Sequence, residues 1–459
     1  MQPVLTRQEM RAADAAALAD VSHDTLVQRA GTAVTQAALR LLGGGYGAHV
    51  VVIAGKGSNG ADARVAARGL SKRGAKVTII GAADLPPSLP ACDLVIDGAY
   101  GTGFHGTFDM PALPAGTPVL AIDIPSGVDA DSGVASGSVV RANATVTFAA
   151  VKPGLLQGDG PSHCGDLHVI DIGIAVGTPK AALLEDADIA ALLPSRSRDG
   201  HKWKAAVGIA AGSVGMEGAA VLCSLGALRS GSGMVRLGSP GNPTPSHPVE
   251  VVRMTLPPGD WSGAFLEGVA KCSAVVIGPG LGTDETTKQA VRTVIQKVGV
   301  PLVIDADGLN ALGEADEAKA LLAQQTAPTV LTPHDGEYTR LAGHAPGSDR
   351  LAAARELADR LGAIVLLKGP LTVVATNQDR TPDVLLSAAG VTALATAGTG
   401  DVLSGVIGAF LARGVPAHAA AALGAHVHGR AGALGSKEGL VAGDLPALVA
   451  RVLTEARHG

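Results

Sequence analysis

Oxygen-bearing side chains recur in the first half of the chain, next to short apolar runs. Asn59 lies in the glycine-rich segment 55–62, Asp97 and Asp123 each end an apolar run, and Ser126 follows shortly afterwards. Such oxygens are ligands for a hard cation rather than for zinc, and the glycines permit close approach of the backbone to an anion. One acidic residue at a strand end is commonly only a cap or turn former. Several together predict a cation-assisted site for a phosphate-bearing ligand.

Further segments, in the second half, could act on a nucleotide. Residues 398–401 (Gly-Thr-Gly-Asp) precede a helical pattern, so their N–H groups could form an anion hole beside Asp401. The glycine-rich segment 278–282 follows an apolar run. Lys368 opens a loop, 368–372, that links two predicted strands, and it could meet a nucleotide phosphate there. Taken singly, a Gly-x-Gly-Asp segment is more commonly only the start of a helix. Likewise, His334 alone is more commonly a turn histidine whose hydrogen bonds are made within the protein.

Two sheets are needed to position these loops. Nearly continuous apolar runs alternate with helical patterns, as expected for parallel strands covered by helices on both faces. Ligands in such folds lie at the carboxyl ends of the strands. The pattern breaks at residues 192–201, which are polar and contain proline and glycine, and then restarts. We therefore predict two tandem α/β domains, residues 1–195 and 196–459.

The individual elements follow from the same pattern. We predict an N-terminal helical segment over about 6–42, a helix from about 62 to 72, and C-terminal helices over about 400–413 and 417–434. The predicted strands are 49–54, 76–80, 94–96, 119–122, 145–148 and 168–172 in the first half, and 206–210, 274–277, 302–304, 330–332 and 364–367 in the second.

The composition argues against several classes of protein. Of the 459 residues, 47% are hydrophobic and 17% charged, with a formal net charge of -5. The chain is too apolar for a disordered protein, and its lack of a basic block disfavours nucleic-acid binding. With only 2% aromatic residues, base stacking is also disfavoured. Apolar stretches stop short of the roughly 20 residues of a membrane span, and charges interrupt residues 1–20, so we expect a cytoplasmic protein without a membrane partner.

Four segments occur in order in the first half: GKGSNGAD, DGAYGTG, DIPSGVDADSG and VTFAAVKPGLLQGDG. They resemble the NAD(P)H-hydrate epimerase family, which has a Rossmann-like fold. The resemblance implies that Asn59, Asp97 and Ser126 hold a potassium ion. Asp123 would be the acid or base near the hydrated carbon, with Lys152 as a candidate charge partner. The hydrated nicotinamide nucleotide would contact Asp123 and two segments: Ser58, Asn59, Gly60, Ala61 and Asp62, and Gly101, Thr102, Gly103, Phe104, His105, Gly106 and Thr107.

The first of these loops departs from the family pattern. Where the family usually reads Asn-Asn-Gly-Gly-Asp-Gly, this chain has Ser58, Ala61 and Ala63 in place of the first Asn and two glycines. Added Cβ atoms restrict positive φ and crowd a bound phosphate. A non-catalytic binding or scaffolding domain therefore stays open as an alternative for the first half, although the retained cation ligands argue against it.

A second set of segments covers nearly all of residues 201–459: GMEGAAVLCSLGALRSGSGMV, IGPGLG, TPHDGEYTRL, LKGPLTVV and AGTGD. They resemble the ribokinase-like superfamily, which has a three-layer α/β/α fold, and within it the ADP/ATP-dependent NAD(P)H-hydrate dehydratases. The resemblance implies that Asp401 is the catalytic carboxylate. The adenine nucleotide would contact Lys368, Gly369, Pro370, Leu371, Thr372 and Gly400. The hydrate would contact Ala219, Gly282, His334 and Asp401.

Together the two resemblances imply a bifunctional repair enzyme for hydrated NADH and NADPH. The first half would interconvert the R and S hydrates, and the second would dehydrate the S form at the expense of ADP. Asp401 would deprotonate the hydrate hydroxyl, which takes a phosphoryl group, and phosphate then leaves. Magnesium bridging the nucleotide phosphates and a homo-oligomeric state are also implied. The alternative is a ribokinase-like small-molecule kinase fused to a non-catalytic Rossmann-like binding domain.

Overall fold

The computed structural model describes residues 1–195, 198, 200–242, 246–378 and 380–458. The chain divides into two compact units, Gln2–Lys180 and Ala181–Gly459. The boundary expected between residues 195 and 196 therefore lies inside the second unit, and residue 196 itself is outside the described residues. The difference arises because strand β8 (Ala181–Leu183) pairs in parallel with β17 (Val384–Ser387).

The first unit contains a six-stranded sheet in the order β3-β2-β4-β5-β6-β7, and every pair in it is parallel. All six predicted strands are present. The unit's strands are β1 (Gln2–Val4), β2 (His49–Ala54), β3 (Lys76–Gly81), β4 (Leu94–Gly98), β5 (Val119–Ile122), β6 (Ala144–Phe148) and β7 (Asp166–Ile170). Its helices are α1 (Arg7–Ala17), α2 (His23–Leu42), α3 (Ser58–Ser71) and α4 (Gly160–Cys164).

Local signals divide the N-terminal helical segment in two. Thr6 and Glu9 form a capping box at the start of α1, and the Ser22 side chain caps α2. Gly43 ends α2 with a φ of 66°, a left-handed conformation that glycine adopts without strain. The predicted continuous segment 6–42 is therefore two helices, because a serine cap favours a fresh helix start over continuation.

Strand β2 shows why the apolar runs of the first unit are nearly continuous. Val50 and Val52 belong to one hydrophobic cluster, while Val51 and Ile53 belong to another. Successive side chains of a strand point to opposite faces, so both faces of this sheet are buried. The burial holds the strand ends, and the loops that follow them, in fixed positions.

The second unit contains a larger, mixed sheet in which the strands of this unit follow the order β8-β17-β16-β15-β14-β13-β12-β9-β10-β11. The pairs β15–β16 and β16–β17 are antiparallel, unlike the parallel arrangement expected from the pattern. The remaining strands are β9 (Ala206–Ala210), β10 (Met234–Gly238), β11 (Val252–Met254), β12 (Ala274–Ile277), β13 (Leu302–Ile304), β14 (Thr329–Leu331), β15 (Ile364–Leu367) and β16 (Thr372–Ala375).

The helices of the second unit include the two predicted at its C-terminal end. Helix α13 is buried along nearly its whole length and packs against α6, α14 and the sheet. Among the described residues, no helix is long and apolar enough to cross a membrane. The helices are α5 (Asp186–Leu192), α6 (Glu217–Arg229), α7 (Ser262–Val269), α8 (Glu285–Lys297), α9 (Asp307–Asn310), α10 (Ala315–Leu322), α11 (Asp335–Ala342), α12 (Arg350–Leu361), α13 (Thr399–Ala412), α14 (Ala417–Leu434) and α15 (Leu445–His458).

Candidate active sites

The carboxyl ends of β4 and β5 bring Asp97 and Ser126 together. The Ser126 hydroxyl donates a hydrogen bond of 2.6 Å to Asp97 Oδ1, and its backbone N–H donates one of 2.8 Å to Oδ2. Asp97 is fully buried, and this burial raises the pKa of its carboxyl although the bonds from Ser126 oppose the shift. Asp97 is thus held in one orientation at the sheet edge.

Asn59 reaches the same edge from the first turn of α3. Its Nδ2 donates hydrogen bonds of 2.8 Å to the carbonyls of Tyr100 and Ile122. The Tyr100 N–H donates to Ser126 Oγ at 3.0 Å, so the three predicted cation ligands are connected through one residue. A Cβ at Gly101 would lie 2.6 Å from the Asn59 amide, which explains the glycine there. The structure therefore brings the three residues together.

Asp123 follows β5 with a φ of 66°, an unusual conformation for a residue other than glycine. Its Oδ1 lies 2.6 Å from Lys152 Nζ and accepts a hydrogen bond of 3.0 Å from Thr147. Lys152 is 1% exposed and also donates to Thr147 Oγ1 and to the Phe148 carbonyl. Lys152 and Thr147 thus hold the Asp123 carboxyl in place from β6 and the segment after it.

Two cavities flank the start of α3. The smaller, of about 210 Å³, contains Asp62, Asp123 and Lys152 in its wall. The larger, of about 710 Å³, lies over the glycine-rich segment 55–59. Three predicted binding residues line both cavities: Ser58, Asn59 and Thr102. A single ligand could therefore extend through both cavities and lie against the N–H groups at the start of α3.

The altered loop residues lie in helix rather than in a left-handed turn. Helix α3 begins at Ser58, earlier than the predicted start near residue 62. Ala61 and Ala63 therefore have helical backbone, and neither lines either cavity. The close approach is at Gly60, where a Cβ would lie 2.0 Å from the Gly55 carbonyl. The crowding expected from alanines 61 and 63 is thus not found.

The segment 101–107 splits between the larger cavity and the surface. Gly101, Thr102, Gly103 and Phe104 line the cavity. The other three members are exposed and belong to neither cavity wall: His105, Gly106 and Thr107. The His105 ring instead lies 2.9 Å from Arg7 Nη1. The structure thus does not group these three with the other predicted hydrate contacts.

The second unit contains a cluster of charged side chains next to the start of α13. Lys368, after β15, donates a hydrogen bond of 2.9 Å to Asp305, after β13, and Ser404 donates one of 2.6 Å to the other Asp305 oxygen. Asp401 lies in the first turn of α13, behind Gly398 with a φ of 89°. A Cβ at Gly400 would lie 3.7 Å from Lys368 Nζ. Residues predicted to contact the nucleotide therefore lie next to Asp401, which is predicted to contact the hydrate, at the start of α13.

The two carboxyls of this cluster have opposite pKa shifts. Burial opposes the ionisation of Asp305, but the charge of Lys368 and the hydrogen bonds outweigh it, so the pKa of Asp305 is lowered. Burial and the negative charge of Asp305 raise the pKa of Asp401 to about 7. Asp401 can therefore take up or release a proton near neutral pH, as a catalytic acid or base must.

A largely apolar cavity of about 460 Å³ lies beside this cluster. Its wall includes five of the six predicted nucleotide contacts, namely Lys368, Gly369, Pro370, Thr372 and Gly400. Leu371 is 3% exposed and packs into the protein instead. An apolar cavity with a lysine at its wall is the kind of space in which a nucleotide base and its phosphates could be bound.

The predicted hydrate contacts of the second unit fall into two groups. A Cβ at Gly280 would lie 3.0 Å from the Ala219 Cβ, which places Ala219 beside the glycine-rich loop. Gly282 in that loop donates its N–H to Asp307 at 2.9 Å. His334 caps α11, and its Nδ1 accepts from the N–H of Gly336 at 3.0 Å. Its Nε2 lies 3.6 Å from Glu337 Oε2. Both contacts fit the alternative of a turn histidine whose ring atoms have partners within the protein.

Three residues of the second site went unnoticed in the sequence. Asp305 accepts a hydrogen bond from Lys368, Ser404 donates one to Asp305, and Glu337, which is 5% exposed, lies 3.7 Å from Lys368 Nζ. Asp305 follows an apolar strand directly, the same signal that identified Asp97 and Asp123. That signal could have found Asp305, whereas Ser404 and Glu337 lie inside helices and carry no such mark.

Family models match both parts of the chain. The model described as NAD(P)H-hydrate dehydratase matches residues 207–455, and the one described as YjeF-related protein N-terminus matches residues 23–89 and 80–154. The bifunctional NAD(P)H-hydrate repair enzyme Nnr of Mycobacterium leprae is 38% identical over 98% of this chain and 97% of its own length. That of Salinibacter ruber is 34% identical over 99% and 96%.

Solved structures match the second unit. An ADP/ATP-dependent NAD(P)H-hydrate dehydratase of Bacillus subtilis, co-crystallised with ATP and Mg²⁺, has 30% sequence identity and a TM-score of 0.51, covering 61% of this chain and 100% of its own. A ribokinase-like superfamily protein of Enterococcus faecalis, at 20% identity and a TM-score of 0.53, covers 60% of this chain and 96% of its own and shows the same fold.

Proposed function

This chain belongs to the family of bifunctional NAD(P)H-hydrate repair enzymes, and on that premise we propose how its two sites share the work. The first unit epimerises the R and S hydrates of NADH and NADPH. The second dehydrates the S hydrate with consumption of a nucleotide. The observation that carries the assignment of the second site is Asp401 at the head of α13, beside Lys368 and an apolar cavity.

In the second unit, Asp401 accepts the proton of the hydrate hydroxyl, which takes the terminal phosphoryl group of the nucleotide. Phosphate then leaves with the electron pair of the C–O bond, and loss of a proton from the neighbouring ring carbon restores the double bond. Lys368 and the N–H groups at the start of α13 stabilise the transferring group. Asp305 keeps Lys368 in place through their hydrogen bond.

The surroundings of Lys368 suit a nucleotide bound with Mg²⁺. Asp401, Asp305 and Glu337 all interact with this lysine, so hard carboxylate oxygens surround the place where the phosphates would lie. Mg²⁺, when bound, would neutralise charge on those phosphates. We propose ADP as the nucleotide, as the resemblance implies.

In the first unit, the oxygen donors fit K⁺. Asp97 Oδ1, Ser126 Oγ and the Tyr100 carbonyl lie close together, and the Asn59 side chain reaches the same place through the hydrogen bond from its Nδ2 to the Tyr100 carbonyl. This set consists of one carboxylate with neutral oxygens. A low-charge set suits a monovalent cation, which would balance charge near the bound nucleotide.

Absorbance of the restored dihydronicotinamide tests both activities in one assay. We expect a mixture of R and S NADPH hydrates to be converted completely when ADP and Mg²⁺ are supplied. Recovery that stops once the S epimer is consumed, after correction for spontaneous epimerisation, would contradict the epimerase assignment and favour a binding domain. Absence of any NADPH would contradict the dehydratase assignment and favour the kinase alternative.

Two properties stay predictions. We propose a cytoplasmic location, which fractionation of the native cell would test. We also propose a homo-oligomer, which light scattering of the purified chain would test.

A further inference from the structure

The small cavity of the first unit has a carboxyl group in its wall that is not hydrogen-bonded. Asp62 is 5% exposed and faces this cavity. Within the part of the chain that the structure describes, its side chain makes no hydrogen bond or ion pair. A buried carboxyl without a partner costs folding free energy, so a purely structural role gives no reason to keep it.

Helix capping does not account for Asp62 either. The cap position of α3 is Gly57, which offers no side-chain bond, and Asp62 lies beyond the first turn. The side chain therefore faces the cavity without contributing a bond to its own helix.

The other carboxyl of this cavity wall has the opposite environment. Asp123 lies 2.6 Å from Lys152 and accepts a hydrogen bond from Thr147. The Asp123 carboxyl therefore has partners in the protein, while that of Asp62 has none among the described residues. Two carboxyls of one cavity with opposed environments are the arrangement by which enzymes divide the roles of acid and base.

We propose that Asp62 is the proton donor of the first unit and Asp123 its proton acceptor. The inference rests on the proposed epimerase function and deepens it, because the resemblance gives Asp62 only as a contact of the hydrate.

The electrostatics of the cavity agree with this division. Burial, and then the negative charge of Asp123, raise the pKa of Asp62 to about 8, so Asp62 carries its proton at neutral pH. The other titratable groups facing the cavity are Asp14 from α1, His23 from α2 and Lys152 after β6. Asp14 is less buried than Asp62.

The step balances as follows. Asp62 gives its proton to the hydroxyl oxygen of the hydrate as the C–O bond breaks, and the bond's electron pair leaves with water. The lone pair of the adjacent ring nitrogen forms a C=N bond. Water then adds to the opposite face, the C=N pair returns to nitrogen, and the added water gives one proton to Asp123. Transfer of that proton to Asp62 resets the site.

The test uses the full chain with purified R hydrate of NADPH, ADP and Mg²⁺, because NADPH then appears only after epimerisation. The same preparation with S hydrate reports the second unit and serves as an internal control. The variants are Asp62→Asn, Asp62→Glu and, as a matched control at an exposed position between α1 and α2, Asp20→Asn.

We expect Asp62→Asn to lower kcat for the R hydrate by about 100-fold or more, the usual contribution of a positioned acid, with little change in KM. The wild-type rate should fall as pH rises through about 8, because the protonated form of Asp62 is then lost. Asp62→Asn should abolish this fall, and Asp62→Glu should restore part of the activity. Asp20→Asn should behave as the wild type, and S-hydrate turnover should be unchanged throughout.

Several results would overturn the inference. These are a normal R-hydrate rate in Asp62→Asn, a change in KM alone, absence of rescue by Asp62→Glu, or loss of the pH dependence in Asp14→Asn instead. If the wild type itself does not accelerate epimerisation, it is the proposed function that fails.

Discussion

Lys368 and Asp305 form a hydrogen-bonded ion pair of 2.9 Å between the ends of two strands of the second unit, β15 and β13. Asp305 is 2% exposed, and its second oxygen accepts the Ser404 hydroxyl. The lysine proposed to meet the nucleotide phosphates is therefore fixed before any nucleotide binds. Such preorganisation lowers the cost of aligning charge with the transferring group.

Removal of the charge of Asp305 should lower the stability of the second unit and disturb its nucleotide site. We expect Asp305→Asn to lower the free energy of unfolding by about 3 kcal/mol, since it leaves Lys368 without its closest partner. Both tryptophans, Trp203 and Trp261, lie in this unit, so urea unfolding followed by tryptophan fluorescence measures it selectively.

The control for Asp305→Asn is Glu455→Gln, which breaks an exposed pair with Arg451 of 2.7 Å. We expect it to cost less than about 1 kcal/mol, as surface pairs do. Equal effects of the two substitutions would show that the buried pair has no special importance.

Dehydration of the S hydrate should depend on Asp401. As a base, Asp401 acts when ionised, and its pKa is raised to about 7. The value of kcat/KM for the S hydrate should therefore rise as pH increases through about 7. Asp401→Asn should remove this rise and lower kcat by about 100-fold or more. A pH profile that Asp401→Asn leaves unaltered would assign the proton transfer to another group.

The cation site should be sensitive to a single methyl group. In Gly101→Ala, the new Cβ would lie 2.6 Å from the Asn59 amide, so the amide must move. We expect a lower rate with the R hydrate and a higher K⁺ concentration for half-maximal activity. Turnover of the S hydrate in the same preparation is the control. An unchanged K⁺ dependence would show that Asn59 does not contact the cation.

Restoring the family's glycines should not improve the epimerase. Ala61 and Ala63 lie in α3, and Ala63 is fully buried against Gly98. Each change to glycine should cost about 1 kcal/mol of helix stability. The variant should therefore lose its R-hydrate activity at a lower urea concentration than the wild type. The rate without urea should stay the same. A clear rate increase in Ala61→Gly would show instead that the alanine methyl obstructs the ligand.

The sequence by itself determined the elements and the loops that carry chemistry. Asn59, Asp97 and Ser126 could be grouped because apolar runs mark the strands, and parallel strands end at one edge of the sheet. Asp401 could be placed at a helix start by the same local reasoning. The start of α3 and the antiparallel direction of β16 were not predicted, because the pattern does not distinguish a loop from a first helical turn or give the direction of a short strand.

Only the tertiary structure decided which groups are charged and which are paired. Asp305 contacts Lys368 and Ser404, which are distant in sequence and lie on other elements. Asp62 and Asp123 are both aspartates near the same loop, yet one is unpartnered and the other is held by Lys152. A side chain's proton affinity depends on burial and on neighbours brought together by folding, and neither can be deduced from the local sequence.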